Sequence, residues 1–534
     1  MSVLGSRTNR LSTPHIESAH VVLSYRWMFL QSSRAYEKDI SPFYNDLGIA
    51  LVQWHCRGLG FESRRLHQLS RYFYIGRRPT RCGSPVPLSR RGVRRAASDL
   101  CLSWRSRLIR VNCRQVSAAP GRRLRPRQPV YRKAAVMPAD LAIAALDWVP
   151  LAPRLIKEGY GDADSVWPGT LPSLLVRITA ADGTVGYGEA TTQTWYLGET
   201  RTQMESVLAL YAQALQGRPA DNIAGAHAAM LGSYAGAAPG GNAARAGVDM
   251  ALHDLTGKAL GVPAATLLGG RLRDRLDQLT NLYHATPEAM AEGARAFAAQ
   301  GFKALKIKVG ESLLAHGWSR AGLTAELAKL TAALDAVGPE IMIDADANQA
   351  WRNAGDAAAA LRAFAGRPNL SIEQPLAYEN YAGHAQLRRI AGLPVVLDEP
   401  VRAPDAVMQL IRAEACDRVV IKLNRVGGLY PSMRIATICE AAGIGVSVDT
   451  NPFTLLGDSA SAQLASTIPT HYPVDCEGHV SFLTLAEGIL SGGVSFADGR
   501  ALVPQGPGLG VEVDWARAQA VAESAPIDSG RSAP

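Results

Sequence analysis

Residues 304–309 read Ala304-Leu305-Lys306-Ile307-Lys308-Val309, an apolar run of strand length that carries two lysines. A central strand of a parallel sheet should be almost wholly apolar, so these charges need a cause. The same texture recurs on both sides. Short apolar strands are expected at 279–284, 341–346, 370–373, 395–398, 419–422 and 445–449, each followed by a helical pattern. Strands alternating with helices predict an α/β chain with a parallel sheet. Seven or eight such units in about 210 residues predict a closed barrel of the TIM type rather than an open sheet.

In such a barrel the active site lies at the carboxyl ends of the strands. Those ends carry Lys306 and Lys308, Asp346, Glu373, Asp398 with Glu399, and Lys422. From Lys308 onward the spacings are 38, 27, 25 and 24 residues, each about one strand–helix unit, so the side chains converge on one mouth. Three carboxylates on adjacent strands suit a hard divalent cation with oxygen ligands, and Mg²⁺ would leave positions open for substrate. Two lysines on opposite sides of the mouth, close to that cation, are expected to have depressed pKa values and to serve as general bases. The set suits proton abstraction from a carbon next to a carboxylate.

Upstream the chain divides into two unlike parts. The whole carries 56 Lys+Arg against 47 Asp+Glu, a net charge of +9. Residues 1–136 hold 26 basic and 6 acidic side chains, a balance of +20, which leaves 30 basic against 41 acidic, or −11, for 137–534. The first part has 24 arginines but two lysines and no sustained apolar period. It is expected to be disordered, or not native to the enzyme, with Met137 as a plausible true start. From Met137 an α+β unit begins. Strands are read at 171–178 and 185–189 around an Asp182-Gly183 turn, and helices at about 200–215 and 242–260, the second ending near Gly261 and Pro263.

Taken together, Lys306-Ile307-Lys308, Asp346-Ala347-Asn348-Gln349-Ala350-Trp351, Glu373-Gln374-Pro375, Asp398-Glu399 and Ile421-Lys422-Leu423-Asn424-Arg425-Val426-Gly427-Gly428 resemble the enolase superfamily. More narrowly they resemble its muconate-lactonizing (mandelate racemase/muconate lactonizing enzyme) subgroup, over essentially all of 137–534. Residues 242–270 look like that family's linker from capping domain to barrel. The resemblance implies an α/β fold, a (β/α)7β barrel with an α+β capping domain. The layout would be a basic segment at 1–136, the capping domain at 137–270, the barrel at 271–490 and a C-terminal segment at 491–534 returning to the cap. It also implies Mg²⁺ held by Asp346, Glu373 and Asp398, with Asn348 close by. Lys308 would be the acid/base on one face and Lys422 on the other, with Lys306 tuning Lys308 or meeting the substrate carboxylate. The reaction would be α-proton abstraction through an enediolate intermediate. The mandelate-racemase branch expects a histidine after the seventh strand; Ser447-Val448-Asp449-Thr450-Asn451 stands there instead, which favours the branch with two lysines.

Members of that subgroup cycloisomerise, eliminate, racemise or epimerise. Asp475-Cys476-Glu477 resembles the Asp-x-Asp by which dipeptide epimerases hold a substrate ammonium, so racemisation or epimerisation of an amino-acid or dipeptide derivative is the favoured expectation. Muconate-type cycloisomerisation and dehydration of hydroxyproline or hydroxy acids are the alternatives. Residues 157–167, with Tyr160, are expected to form a capping loop over the substrate. Gly506-Pro507-Gly508-Leu509-Gly510 is a turn, because no strand–helix unit surrounds it as a phosphate cradle requires.

Other classes are disfavoured. No run approaches a membrane span, and seven cysteines form no CxxC pair. A cytoplasmic homo-oligomer acting on a small carboxylate is expected. The rival class is nucleic-acid binding by the arginine-rich arm, for which a salt-sensitive shift on DNA would be required.

Overall fold

The computed structural model describes residues 141–155, 170–192, 198–233, 240–449, 453–469, 474–475, 483–484 and 488–524. The arginine-rich arm, Tyr160 with its loop, and Glu477 lie outside them.

In the smaller sheet β1 (Ile143–Leu151), β2 (Ser173–Ala180) and β3 (Val185–Thr191) pair antiparallel in that order. The turn between β2 and β3 is the expected Asp182-Gly183: Thr184 N donates to Asp182 Oδ1 at 2.9 Å. Three helices cover this sheet: α1 (Arg201–Leu215), α2 (Ile223–Gly232) and α3 (Asn242–Leu260). α1 opens on a capping box, with Thr200 Oγ1 accepting from Gln203 N and Gln203 Oε1 accepting from Thr200 N. α3 is rich in Ala and Gly, and every residue from Ala243 to Gly257 is buried. That all-round burial has a cause: β3 packs on one side of α3 and the barrel turn Leu423–Val426 on another.

The larger sheet runs β4 (Arg275–Leu282), β5 (Ala304–Lys308), β6 (Met342–Asp346), β7 (Leu370–Glu373), β8 (Val395–Leu397), β9 (Arg418–Ile421) and β10 (Gly445–Val448), each parallel to the next. A short β11 (Val474–Asp475) pairs in parallel with the other edge of β4 and packs beside β10, so eight strands go round. The crossovers are α4 (Pro287–Ala299), α5 (Arg320–Ala336), α6 (Ala354–Leu361), α7 (Tyr381–Ile390), α8 (Pro404–Arg412), α9 (Leu429–Ala442) and α10 (Leu455–Thr467). This is the (β/α)7β barrel with an α+β cap. Leu305, Ile307, Ile343, Ala345, Ile372, Leu397 and Ile421 are fully buried, the continuous apolar texture of strands covered on both faces. No helix among the described residues is long and apolar enough to cross a membrane.

Cap and barrel are joined, among other contacts, at β3 and through the C-terminal segment. The wholly buried Glu189, on β3, accepts from Thr454 N, Thr454 Oγ1 and Gly457 N at the start of α10. Downstream, β12 (Ser495–Ala497) and β13 (Arg500–Leu502) form a hairpin, and β13 adds antiparallel to Arg275–Asp277 of β4. α11 (Trp515–Ser524) then packs on β1, with Trp515 6.1 Å from the Tyr187 ring and Arg177 stacked 4.3 Å above it. Gly506–Gly510 is a turn against α3, where Leu509 N donates to Asp254 Oδ1 at 2.8 Å.

Candidate active site

Strand register brings the charged ends together. Lys308 stands opposite Asp346, and Asp346 opposite Glu373. Each predicted carboxylate is paired with a predicted lysine. Lys308 Nζ donates to Asp346 Oδ2 at 2.6 Å and to Asn348 Oδ1 at 3.0 Å. Lys306 Nζ donates to Glu373 Oε1 at 3.1 Å and to Asp449 Oδ2 at 2.7 Å. Lys422 Nζ donates to Asp398 Oδ2 at 2.9 Å, and Arg425 Nη2 to Asp398 Oδ1 at 2.5 Å. Lys308 and Lys422 close the second and sixth strands of an eight-strand ring, four steps apart either way round. They therefore face each other across the mouth.

The loops behind these strands are tightly held. Asn348, Gln349 and Gln374 adopt positive φ of 41°, 72° and 37°, a conformation that costs non-glycine residues about 1–3 kcal/mol each. Cross-loop hydrogen bonds enforce it. Ala347 N donates to Glu373 O at 3.0 Å, Gln349 N to Gln374 O at 2.7 Å and Trp351 N to Pro375 O at 2.9 Å. Val309 N donates in turn to Asp346 O at 2.8 Å, so three successive strand ends are laced into one rim.

The electrostatics follow from these pairings. Burial works against the charge of Lys422, yet the Asp398 carboxylate raises its pKa above that of an ordinary lysine; the like charges of Arg425 and Lys306 oppose this without outweighing it. The carboxylate faces the ammonium directly. Asp398 itself, although buried, is held well below the usual carboxylate range by Arg425 and Lys422. Glu373 is pushed well up by burial, which Lys306 offsets and Asp346 and Asp344 reinforce. Glu399 is pushed up to about 8 by burial and by Asp398 and Asp346.

Among the described residues no group of three or more acidic, histidine or cysteine side chains is arranged to hold a metal ion. The donor set nonetheless fits a hard cation. Glu373 Oε2 and Glu399 Oε2 are buried without a hydrogen-bond partner among the described residues, beside Asp346 and Asp398. These two oxygens are hard donors without a hydrogen to accept, which suits a hard cation.

The other sequence-derived positions divide. Asp475 ends β11, at the carboxyl end of the eighth strand. Three participants were not assigned a role from sequence: Asp449 as partner of Lys306, Arg425 as partner of Asp398, and Glu399. Asp449 and Arg425 were visible only as members of quoted stretches. A cavity of about 310 Å³ lies between cap and barrel above this rim, lined among others by Glu199, Asn242, Glu399, Arg402 and Arg425.

Two family descriptions match the chain: "Mandelate racemase / muconate lactonizing enzyme, N-terminal domain" over residues 169–269, and "Enolase C-terminal domain-like" over residues 289–517. An N-succinyl-L-Arg/Lys racemase of Bacillus cereus is 30% identical over 346 residues, covering 64% of this chain and 88% of the relative. A muconate cycloisomerase of Acinetobacter lwoffii is 33% identical over 347 residues, covering 64% and 86%. The crystal structure of a dipeptide epimerase from Enterococcus faecalis, complexed with Mg and the dipeptide L-Leu-L-Tyr, superposes with a TM-score of 0.62 at 28% identity, over 70% of this chain and 99% of that one.

Proposed function

The chain is an isomerase of the enolase superfamily, in its mandelate racemase/muconate lactonizing enzyme subgroup, and we propose that it racemises or epimerises an N-substituted amino acid or a dipeptide. The observation that carries this reading is the opposed pair Lys308 and Lys422. Inversion at a carbon needs one group to take a proton from one face and another to return one to the opposite face.

Asp346, Glu373 and Asp398 are proposed to hold Mg²⁺, with Asn348 at its side. A bound Mg²⁺ would supply positive charge against the substrate carboxylate while its α-carbon loses a proton and an enediolate forms. Lys422 and Lys308, bonded to Asp398 and Asp346 on opposite sides of the mouth, would take the proton from one face and return it to the other. Lys306, fixed between Glu373 and Asp449, is proposed to tune Lys308. Arg425 keeps Asp398 ionised. Asp475 and Glu477 are proposed to receive a substrate ammonium, and Tyr160 to belong to the covering loop.

The full chain with Mg²⁺ in D₂O, offered N-succinyl-L-lysine, N-succinyl-L-arginine and L-Ala-L-Glu, tests this by NMR. Loss of the α-proton signal together with appearance of the opposite configuration supports it. With cis,cis-muconate and hydroxyproline offered in parallel, a lactone from the first or loss of water from the second, with no inversion of the amino-acid derivatives, would establish the second reading, cycloisomerisation or dehydration, which the muconate cycloisomerase relative favours.

A further inference from the structure

Away from the barrel mouth, α3 carries a buried carboxylate between two imidazoles. Asp249 Oδ1 lies 2.6 Å from His227 Nε2, and Asp249 Oδ2 lies 3.3 Å from His253 Nδ1. Asp249 is fully buried, and His227 and His253 nearly so. The same carboxylate accepts two backbone N–H groups from another element: Leu429 N at 2.5 Å and Tyr430 N at 3.2 Å, the first turn of α9. The His227 ring packs on Tyr430, centroids 4.8 Å apart.

The chain between Lys422 and Leu429 is fastened to the cap at further points. Asn242 Nδ2 donates to Arg425 O at 2.5 Å, and Asn424 Nδ2 to Thr191 O at 3.0 Å. Arg425 N and Val426 N return to Lys422 O at 3.0 and 3.1 Å, so the turn begins on the lysine itself. Gly427 and Gly428 have φ of +95° and +111°, and a Cβ on Gly428 would stand 2.4 Å from the Asp249 side chain. The pair of glycines is thus required twice, by conformation and by the close approach of α3. Lys308, by contrast, is bonded to Asp346 and Asn348 on the next barrel loop.

We infer that Asp249, seated between His227 and His253, is a positioning group for Lys422: from the capping helix it fixes the turn on which one of the two opposed lysines is mounted. Proton transfer on one face of the substrate then depends on a group in the cap that touches neither substrate nor lysine. The inference rests on the two-lysine reading above and goes beyond it by distinguishing the faces.

The test uses the full chain with Mg²⁺ in D₂O and both antipodes of N-succinyl-lysine, comparing wild type, Asp249→Asn and His227→Gln. Lys422→Ala identifies which antipode Lys422 serves. Asp249→Asn should slow exchange of that antipode roughly 10- to 100-fold and leave the other within about twofold, as expected when one reacting group is displaced by a fraction of an ångström. His227→Gln, which leaves both backbone donors and the accepting Asp249 carboxylate in place, should act on the same antipode but less. Amide hydrogen exchange should quicken over residues 423–430 in Asp249→Asn and stay unchanged over 304–310. Equal loss with both antipodes, loss with neither, or loosening of both segments overturns the inference, because a general structural role would do that. If wild type exchanges neither antipode, the proposed substrate class fails, and the clamp stands or falls on the amide-exchange pattern alone.

Discussion

The two sides of the barrel mouth carry the same residue type and differ in what supports it. Lys308 ends β5, retains 13% side-chain exposure, and leans on Asp346 and Asn348 of the neighbouring strand end. Lys422 follows β9, retains 10%, and opens a turn tied to β3 and α3 of the cap by Asn424, Asn242 and Asp249. Both ammonium groups rest on carboxylates of the barrel rim, but the turn that follows Lys422 is tied to the cap as well. Chemical symmetry across the mouth is therefore built on mechanical asymmetry, and perturbations can be sorted by whether they respect it.

The largest expected effect respects the symmetry. Chelation with EDTA should abolish α-proton exchange for both antipodes alike, and a one-sided loss would contradict a shared metal. Next come the lysines. Lys308→Ala and Lys422→Ala should each lower exchange of one antipode by about 10²–10⁴ and stop racemisation altogether. If either variant still turns over fully, the reaction runs on a single lysine, as an elimination can. Smaller again is Gly428→Ala, which places a Cβ at φ +111° against Asp249. It should cost roughly 1–3 kcal/mol in denaturant unfolding and weaken the Lys422 face selectively.

The smallest effect separates two buried imidazoles. His384, on α7 of the barrel wall, is lowered to about 4 by burial, only partly offset by Asn380 O. A folded value below the free one means that its contribution to stability is present above about pH 6.5 and is withdrawn as pH falls toward 4. His253 behaves oppositely. Burial disfavours its charge, but Asp249 raises its pKa, so its contribution is present below about pH 6.5 and is lost as pH rises through the folded value. Urea midpoints from pH 4 to 8 should show His384→Gln flattening the acid limb and His253→Gln the alkaline limb, by at most about 1.4 kcal/mol per pH unit.

Much of the barrel was legible because charges at strand ends interrupt an otherwise apolar period. The strand at 370–373 and the helix at 242–260 were read with their observed bounds, and the others within a few residues. Closure of the ring was legible only as a count, since β11 has two residues and no periodicity to detect. The Asp249 cluster was invisible for a different reason. Its members lie at 227, 249, 253 and 429–430, on three helices whose packing no local pattern encodes.

The edge of β4 carries a final consequence, for synthesis. Arg275–Asp277 is covered by β13, and Gln278–Leu279 by β11, so the first barrel strand is completed only by segments some two hundred residues downstream. At about 5–20 residues per second, a ribosome would leave that edge open for tens of seconds after it emerges. An unpaired strand edge of that duration is a template for pairing with other chains. Nascent chains halted before Arg500 should consequently depend on chaperones far more than the finished protein does.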